Sequence, residues 1–198
     1  MMKLILASRS PRRQELLKKA GFDFEIQPAL LDESPRPNET PQIFVKRVAK
    51  EKAFEVARLQ KNSAIILAAD TIVVLEDEIL GKPKDENEAR QMLKKLSGKT
   101  HQVLTSWILI KTPQKILKQE TETTFITFKQ LSQNKIANYL DTKEYRDKAG
   151  AYAIQGEAKD FVKIIEGSLT NVIGLPIEKL IPHLKKSVGV FGEIFPQE

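Results

Sequence analysis

The chain has 198 residues, 41% of them hydrophobic and none of them cysteine, and its 32 Lys and Arg against 26 Asp and Glu leave a net charge of +6. Such a length and apolar content suit one large α/β domain with a real core and exclude disordered and stapled mini-protein classes. The absence of cysteine rules out disulfides, thiolate zinc sites and cysteine nucleophiles, and His101 and His183 are too few for a multi-histidine metal site. Any metal must therefore sit on oxygen ligands.

The positive charge is spread over both halves, with no basic tail and no stripe of aromatic and basic residues. It suits small anions such as phosphates and argues against a stable nucleic-acid partner. The four apolar residues after Lys3 are too few for a secretory leader, and no apolar run approaches a bilayer span. A soluble, cytoplasmic protein with no membrane partner is expected.

Lys3 to Ala7 reads as a buried strand. Ser10-Pro11 then caps and opens a helix to about Ala20, with Gly21 at its end. A short strand at Phe24 to Gln27 precedes a proline-bearing loop over 31–40, and Thr40-Pro41 opens a long helix to about Lys61. The apolar, β-branched stretch from Ile65 to Leu75 predicts a central strand or strand pair, broken only by Asp70 and Thr71. Asp85 and Glu88 make a capping signal for a helix through Leu96. Strands follow at Gln102 to Lys111 and Glu120 to Phe128, then a helix capped by Ser132. A strand pair is predicted at Ala151 to Gln155 and Phe161 to Ile165. Gly174-Leu175-Pro176 leads into a last helix to about Lys186, and the tail of residues 187–198 has no assigned role.

Several residues admit a functional reading beside a structural one. The helix start after Ser8-Arg9-Ser10 offers backbone N–H groups, a hydroxyl and the guanidinium groups of Arg12 and Arg13 to an anion, although an ordinary capped helix with solvated arginines explains the pattern equally well. Asp70 lies between Ala68-Ala69 and Ile72-Val73, where a carboxylate is costly unless paired, bonded or bound to a cation. Function or a turn-capping role would each account for it. At about 100° per residue, Lys52 falls inside the stripe of Val45, Val48, Ala49 and Val56, where a methionine of similar length would suit the surroundings. It either snorkels outward or reaches a carboxylate or phosphate. Lys82 is pinned between Gly81 and Pro83, and Asp32-Glu33 stand in the proline-bearing loop. Gly98-Lys99-Thr100 is not a P-loop, since no glycine stands five residues before Gly98 and a helix precedes it.

The blocks Ser8-Arg9-Ser10-Pro11-Arg12-Arg13, Asp32-Glu33, Glu51-Lys52-Ala53, Ala69-Asp70-Thr71, Gly81-Lys82-Pro83, Leu96-Ser97-Gly98, Ala149-Gly150-Ala151-Tyr152, Ile154-Gln155-Gly156 and Gly174-Leu175-Pro176 occur in one order along most of the chain. Together they resemble the Maf family of nucleoside triphosphate pyrophosphatases. The resemblance implies a mixed α/β fold over residues 1–186, with an elongated mixed sheet, flanking helices and two lobes around a central cleft, like the inosine triphosphate pyrophosphatases. It implies water attack on the α-phosphorus, with Asp70, Glu33, Lys52 and Lys82 catalytic and Ser8 and Arg13 binding phosphate. Asp70 and Glu33 would also hold a divalent cation, Mg²⁺ or Mn²⁺. Arg12, Thr71 and Gln155 stand where the branch acting on dTTP and UTP has its selectivity residues, and where the 7-methyl-GTP branch differs. The family is also associated with restraint of septum formation, which would make the chain a partner-binding regulator. The sequence leaves open whether the chain is a monomer or a homodimer.

Overall fold

In the computed structural model, which describes residues 2–189, four helices begin where the capping residues place them. Ser10 accepts from the Arg13 N–H at α1 (Pro11–Lys19), Thr40 from Ile43 at α2 (Pro41–Arg58), Asp85 from Glu88 at α3 (Glu86–Leu96), and Ser132 from Lys135 at α4 (Gln133–Asp141). Two further helices, α5 (Leu169–Ile173) and α6 (Ile177–Val188), complete the set. Helix α6, expected to end at about Lys186, runs on through Ser187 and Val188, because Val188 packs into the apolar cluster of Leu4, Leu6 and Leu184. The rest of the predicted tail, residues 190–198, lies outside the described residues.

Seven strands form one sheet: β1 (Lys3–Leu6), β2 (Glu25–Ile26), β3 (Ala64–Leu75), β4 (Glu78–Leu80), β5 (Thr100–Lys111), β6 (Lys115–Phe128) and β7 (Val162–Glu166). Their order is β2-β1-β3-β5-β6-β7, with β4 added to β3. The pairs β1–β2 and β1–β3 are parallel and the others antiparallel, so the mixed α/β fold with an elongated sheet is the observed one.

Strand β3 organises the site. Along one edge β5 pairs with it continuously from Ile65 to Val74. On the other edge β1 covers Ala64 to Leu67 and β4 covers Val73 to Leu75. The edge is thus without a strand neighbour around Ala68 to Ile72, on either side of Asp70. Strand alternation sends Ile66, Ala68, Asp70, Ile72 and Val74 to the face packed against α2, and Leu67, Ala69 and Thr71 to the other face.

Two apolar regions flank this point. One lies on both faces of β1 and β3, with α1 and α6 around Leu6 and Trp107 on one face and α2 around Ile5 and Val56 on the other, and the second gathers α3 and α4 around Leu93, Leu96, Leu140 and Phe161. The predicted strand at Ala151 to Gln155 is instead a 3₁₀ turn, Ala149–Ala151, followed by further turns. Its apolar residues mimic a strand because Ala151, Tyr152 and Ile154 fill the second apolar region. Gly150 has φ +67, and a Cβ there would stand 2.9 Å from the Val73 side chain, so both conformation and space require glycine. The short elements β4 and α5 give no periodic sequence signal. Among the described residues no helix is long and apolar enough to cross a membrane.

Candidate active site

Lys52 lies on the face of α2 that packs on β3, as its place in the apolar stripe requires, and is 8% exposed. Its ammonium does not snorkel to solvent. Nζ donates to Asp70 Oδ1 at 2.8 Å and to Glu33 Oε2 at 2.7 Å, so one buried cation joins a carboxylate from the central strand to one from the 31–40 loop. Asp70 is itself 7% exposed, while the Glu33 side chain is 47% exposed. The two acids of the Asp32-Glu33 pair separate. Asp32 accepts from the Ser34 N–H and hydroxyl within its own loop, and these bonds hold its carboxyl below the usual range.

Arg13, also 8% exposed, occupies the uncovered part of the β3 edge from the opposite side. Nε donates to Gly174 O at 2.8 Å, Nη1 to Ala69 O at 2.8 Å and Ser8 Oγ at 3.2 Å, and Nη2 to Thr71 Oγ1 at 2.9 Å. Four of the five N–H groups of a guanidinium are thereby engaged. Burial pulls its pKa down, opposed by the charge of Asp70. Gly174, at φ +129, closes α5 and turns its carbonyl to Arg13. The network continues inward, since Thr105 Oγ1 donates to Asn171 O at 2.9 Å and lies 2.9 Å from Thr71 Oγ1. A hydroxyl has one proton; with that of Thr105 on Asn171 O, the Thr71 proton serves Thr105 at 2.9 Å or Gly174 O at 3.5 Å, and its hydroxyl keeps only acceptor capacity.

The remaining sequence candidates are Lys82, Arg12 and Gln155. Lys82 follows β4 in an exposed turn tied down by the Gly150 N–H donating to Gly81 O at 3.1 Å. That contact brings Lys148 near, a cation absent from the sequence candidates. Its pKa is lowered by burial first, and then by the charges of Arg12 and Lys82. Nothing in a lysine before Ala149 distinguishes it in the sequence; only the folded turn does. Arg12 is half-buried, with its pKa lowered by burial and raised by Tyr139. The Tyr139 hydroxyl accepts from the Ala153 N–H at 3.2 Å, which anchors the exposed turn bearing Gln155. The structure therefore joins Asp70, Lys52 and Glu33 in one group and Arg13, Ser8 and Thr71 in a second. Gln155 is not in hydrogen-bond contact with either.

A family model described as Maf-like protein matches residues 3–187. A protein of Thermoanaerobacter sp. (strain X514), named dTTP/UTP pyrophosphatase, is 46% identical over 189 residues, covering 96% of this chain and 98% of its own length. One of the same name from Bacillus pumilus (strain SAFR-032) is 48% identical over 187 residues, covering 93% and 96%. Among solved structures, a nucleoside-triphosphatase/dITP/XTP pyrophosphatase of Mycobacterium abscessus is similar over 95% of this chain and 96% of its own length, at 13% identity and a TM-score of 0.47. With a family match along nearly its whole length and relatives close to half identical, the chain belongs to the Maf family.

Proposed function

We propose that this chain is a nucleoside triphosphate pyrophosphatase that hydrolyses dTTP and UTP to the nucleoside monophosphate and pyrophosphate. The names of its relatives support the substrate class. The observation that carries the reading is the pair of carboxylates, Asp70 and Glu33, held on the Lys52 ammonium beside the uncovered edge of β3.

In the proposed reaction a water oxygen bonds to the α-phosphorus while the bond from that phosphorus to the bridging α–β oxygen breaks. The water proton passes to the Asp70 carboxylate, and pyrophosphate leaves. Lys52 fixes Asp70 Oδ1 and leaves its second oxygen to orient the water. Lys82, Arg12 and Lys148 supply positive charge for the triphosphate, and Ser8 and the remaining Nη2 proton of Arg13 offer donors near the start of α1.

The donor set suits a hard divalent cation. Its two carboxylates converge, and sulfur and imidazole are absent from the group. Among the described residues no three His, Asp or Glu side chains converge, so Asp70 and Glu33 would hold Mg²⁺ or Mn²⁺ with phosphate oxygens and water completing the shell. When bound, the cation would neutralise phosphate charge. Gln155, whose amide both donates and accepts, can match the carbonyl and N3–H edge of uracil or thymine, with Thr71 and Arg12 as further selectivity residues.

Pyrophosphate release from UTP, dTTP, GTP and 7-methyl-GTP, measured with and without Mg²⁺ or Mn²⁺, tests the reading. UTP and dTTP should turn over fastest, and chelation should stop the reaction. Preference for 7-methyl-GTP, or no release from any nucleotide, would overturn it.

A further inference from the structure

Glu33 belongs to a loop of residues 32–40 that contains neither helix nor strand, and holding a carboxylate there against chain entropy needs a device. Arg47, on α2, meets that need. Its Nε and Nη2 grip both oxygens of Glu39, at 2.6 and 2.7 Å, in a bidentate pair whose side chains are 13% and 5% exposed. Nη2 also donates to Ser34 O at 3.1 Å, on the residue next to Glu33. Nη1 donates to Glu51 Oε2 at 2.9 Å, and Glu51 Oε1 accepts from Arg36 at 2.7 Å. The loop is thus tied to α2 at residues 34, 36 and 39, and the helix residue after Glu51 is Lys52 itself.

We propose that Arg47 is a positioning residue for the active site, clamping the 32–40 loop onto α2 so that Glu33 is held at Lys52 opposite Asp70. It acts through Glu33 and does not touch substrate; in this respect the inference rests on the proposed reaction at the two carboxylates. A fork on a planar carboxylate has a geometric demand that an ammonium does not meet, so Arg47→Lys should recover only part of what Arg47→Met loses. The Arg47 hydrogen bond is the largest of the effects that hold the Glu39 carboxyl down to about 2, so the clamp stays charged throughout the neutral range.

The test is a double-mutant cycle with Glu33→Gln, read as kcat and KM on UTP together with amide hydrogen exchange over residues 32–40. Arg47→Met should lower kcat about tenfold with a smaller change in KM, the size typical of removing a residue that orients an active-site carboxylate. It should also speed exchange in the loop, and it should cost nothing further in the Glu33→Gln chain. Glu39→Gln, which removes the other side of the fork, should repeat the pattern and guards against a folding defect peculiar to the first variant. An equal proportional loss in the wild-type and Glu33→Gln chains, or full activity with Arg47→Met, would overturn the proposal. Should the wild type itself release no pyrophosphate, the proposed function falls, and the clamp is then judged by exchange alone, unchanged exchange refuting it.

Discussion

Arg13 and Lys52 are buried to the same 8% exposure on opposite sides of one strand, yet they are satisfied in opposite ways. Arg13 spends its planar fork on the carbonyls of Ala69 and Gly174 and on two hydroxyls, joining α1, β3 and the end of α5. Lys52 spends a compact ammonium on two carboxylates that approach from a strand and a loop. The first arrangement builds a wall and leaves little donor capacity. The second gathers ionised groups that can change partners when an anionic ligand or a cation arrives. Burial of a charged side chain therefore does not by itself mark chemistry; the charge state of its partners does.

Substitutions at these positions separate the two roles. The largest effect is expected for Asp70→Asn, which keeps the shape but cannot accept the water proton: kcat should fall about a thousandfold, within the span found for lost general bases. The melting temperature should stay close to that of the wild type, and near-normal turnover would remove Asp70 from the chemistry. Arg13→Met should instead act on folding, because the carbonyls of Ala69 and Gly174 lose their donor, at a cost of about 3 kcal/mol in denaturant unfolding. An unchanged unfolding midpoint would show that water replaces the guanidinium and that the wall does not depend on it.

Lys52→Met gives the sharpest contrast. From the apolar stripe alone, methionine should be tolerated or even stabilising. The contact with Asp70 reverses that sign, since the variant strands a buried carboxylate at about 3 kcal/mol. Adding Asp70→Asn to the same chain should restore most of the loss, a recovery readable as a rise in melting temperature, whereas additive losses would mean that the pair is not coupled in solution. The smallest effect concerns specificity. Gln155→Glu should lower kcat/KM on UTP and dTTP by about tenfold and on purine nucleotides by less, as expected when a carbonyl loses its donor. Equal losses across four nucleotides would show that Gln155 does not select the base.

Legibility from sequence followed physical locality. Caps and wheel positions are local, so Ser10, Thr40, Asp85 and Ser132 placed four helix starts, and Lys52 announced itself as a cation in an apolar stripe. Asp70 was visible because an unpaired carboxylate does not belong in a β-branched run. Its partnership with Lys52 needed the long-range register of β3 against α2. The turn over residues 149–156 misled because its apolar spacing serves a core contact and not a pleat. Lys148 and the Glu39–Arg47 fork became visible only once loops were folded onto helices, although Arg47 and Glu51 stand four apart on one helix and signal at least one ion pair.

The interval along β3 that neither β1 nor β4 covers has a consequence for solubility as well as for the site. A strand edge with unpaired carbonyls is a template for adding a foreign strand, the usual route to aggregation. Here the position is filled by a side chain, since Arg13 takes the Ala69 carbonyl that a neighbouring strand would otherwise have paired. At Ala69, which is wholly buried, a sheet left open in its middle is thus closed by a charged side chain in place of a strand.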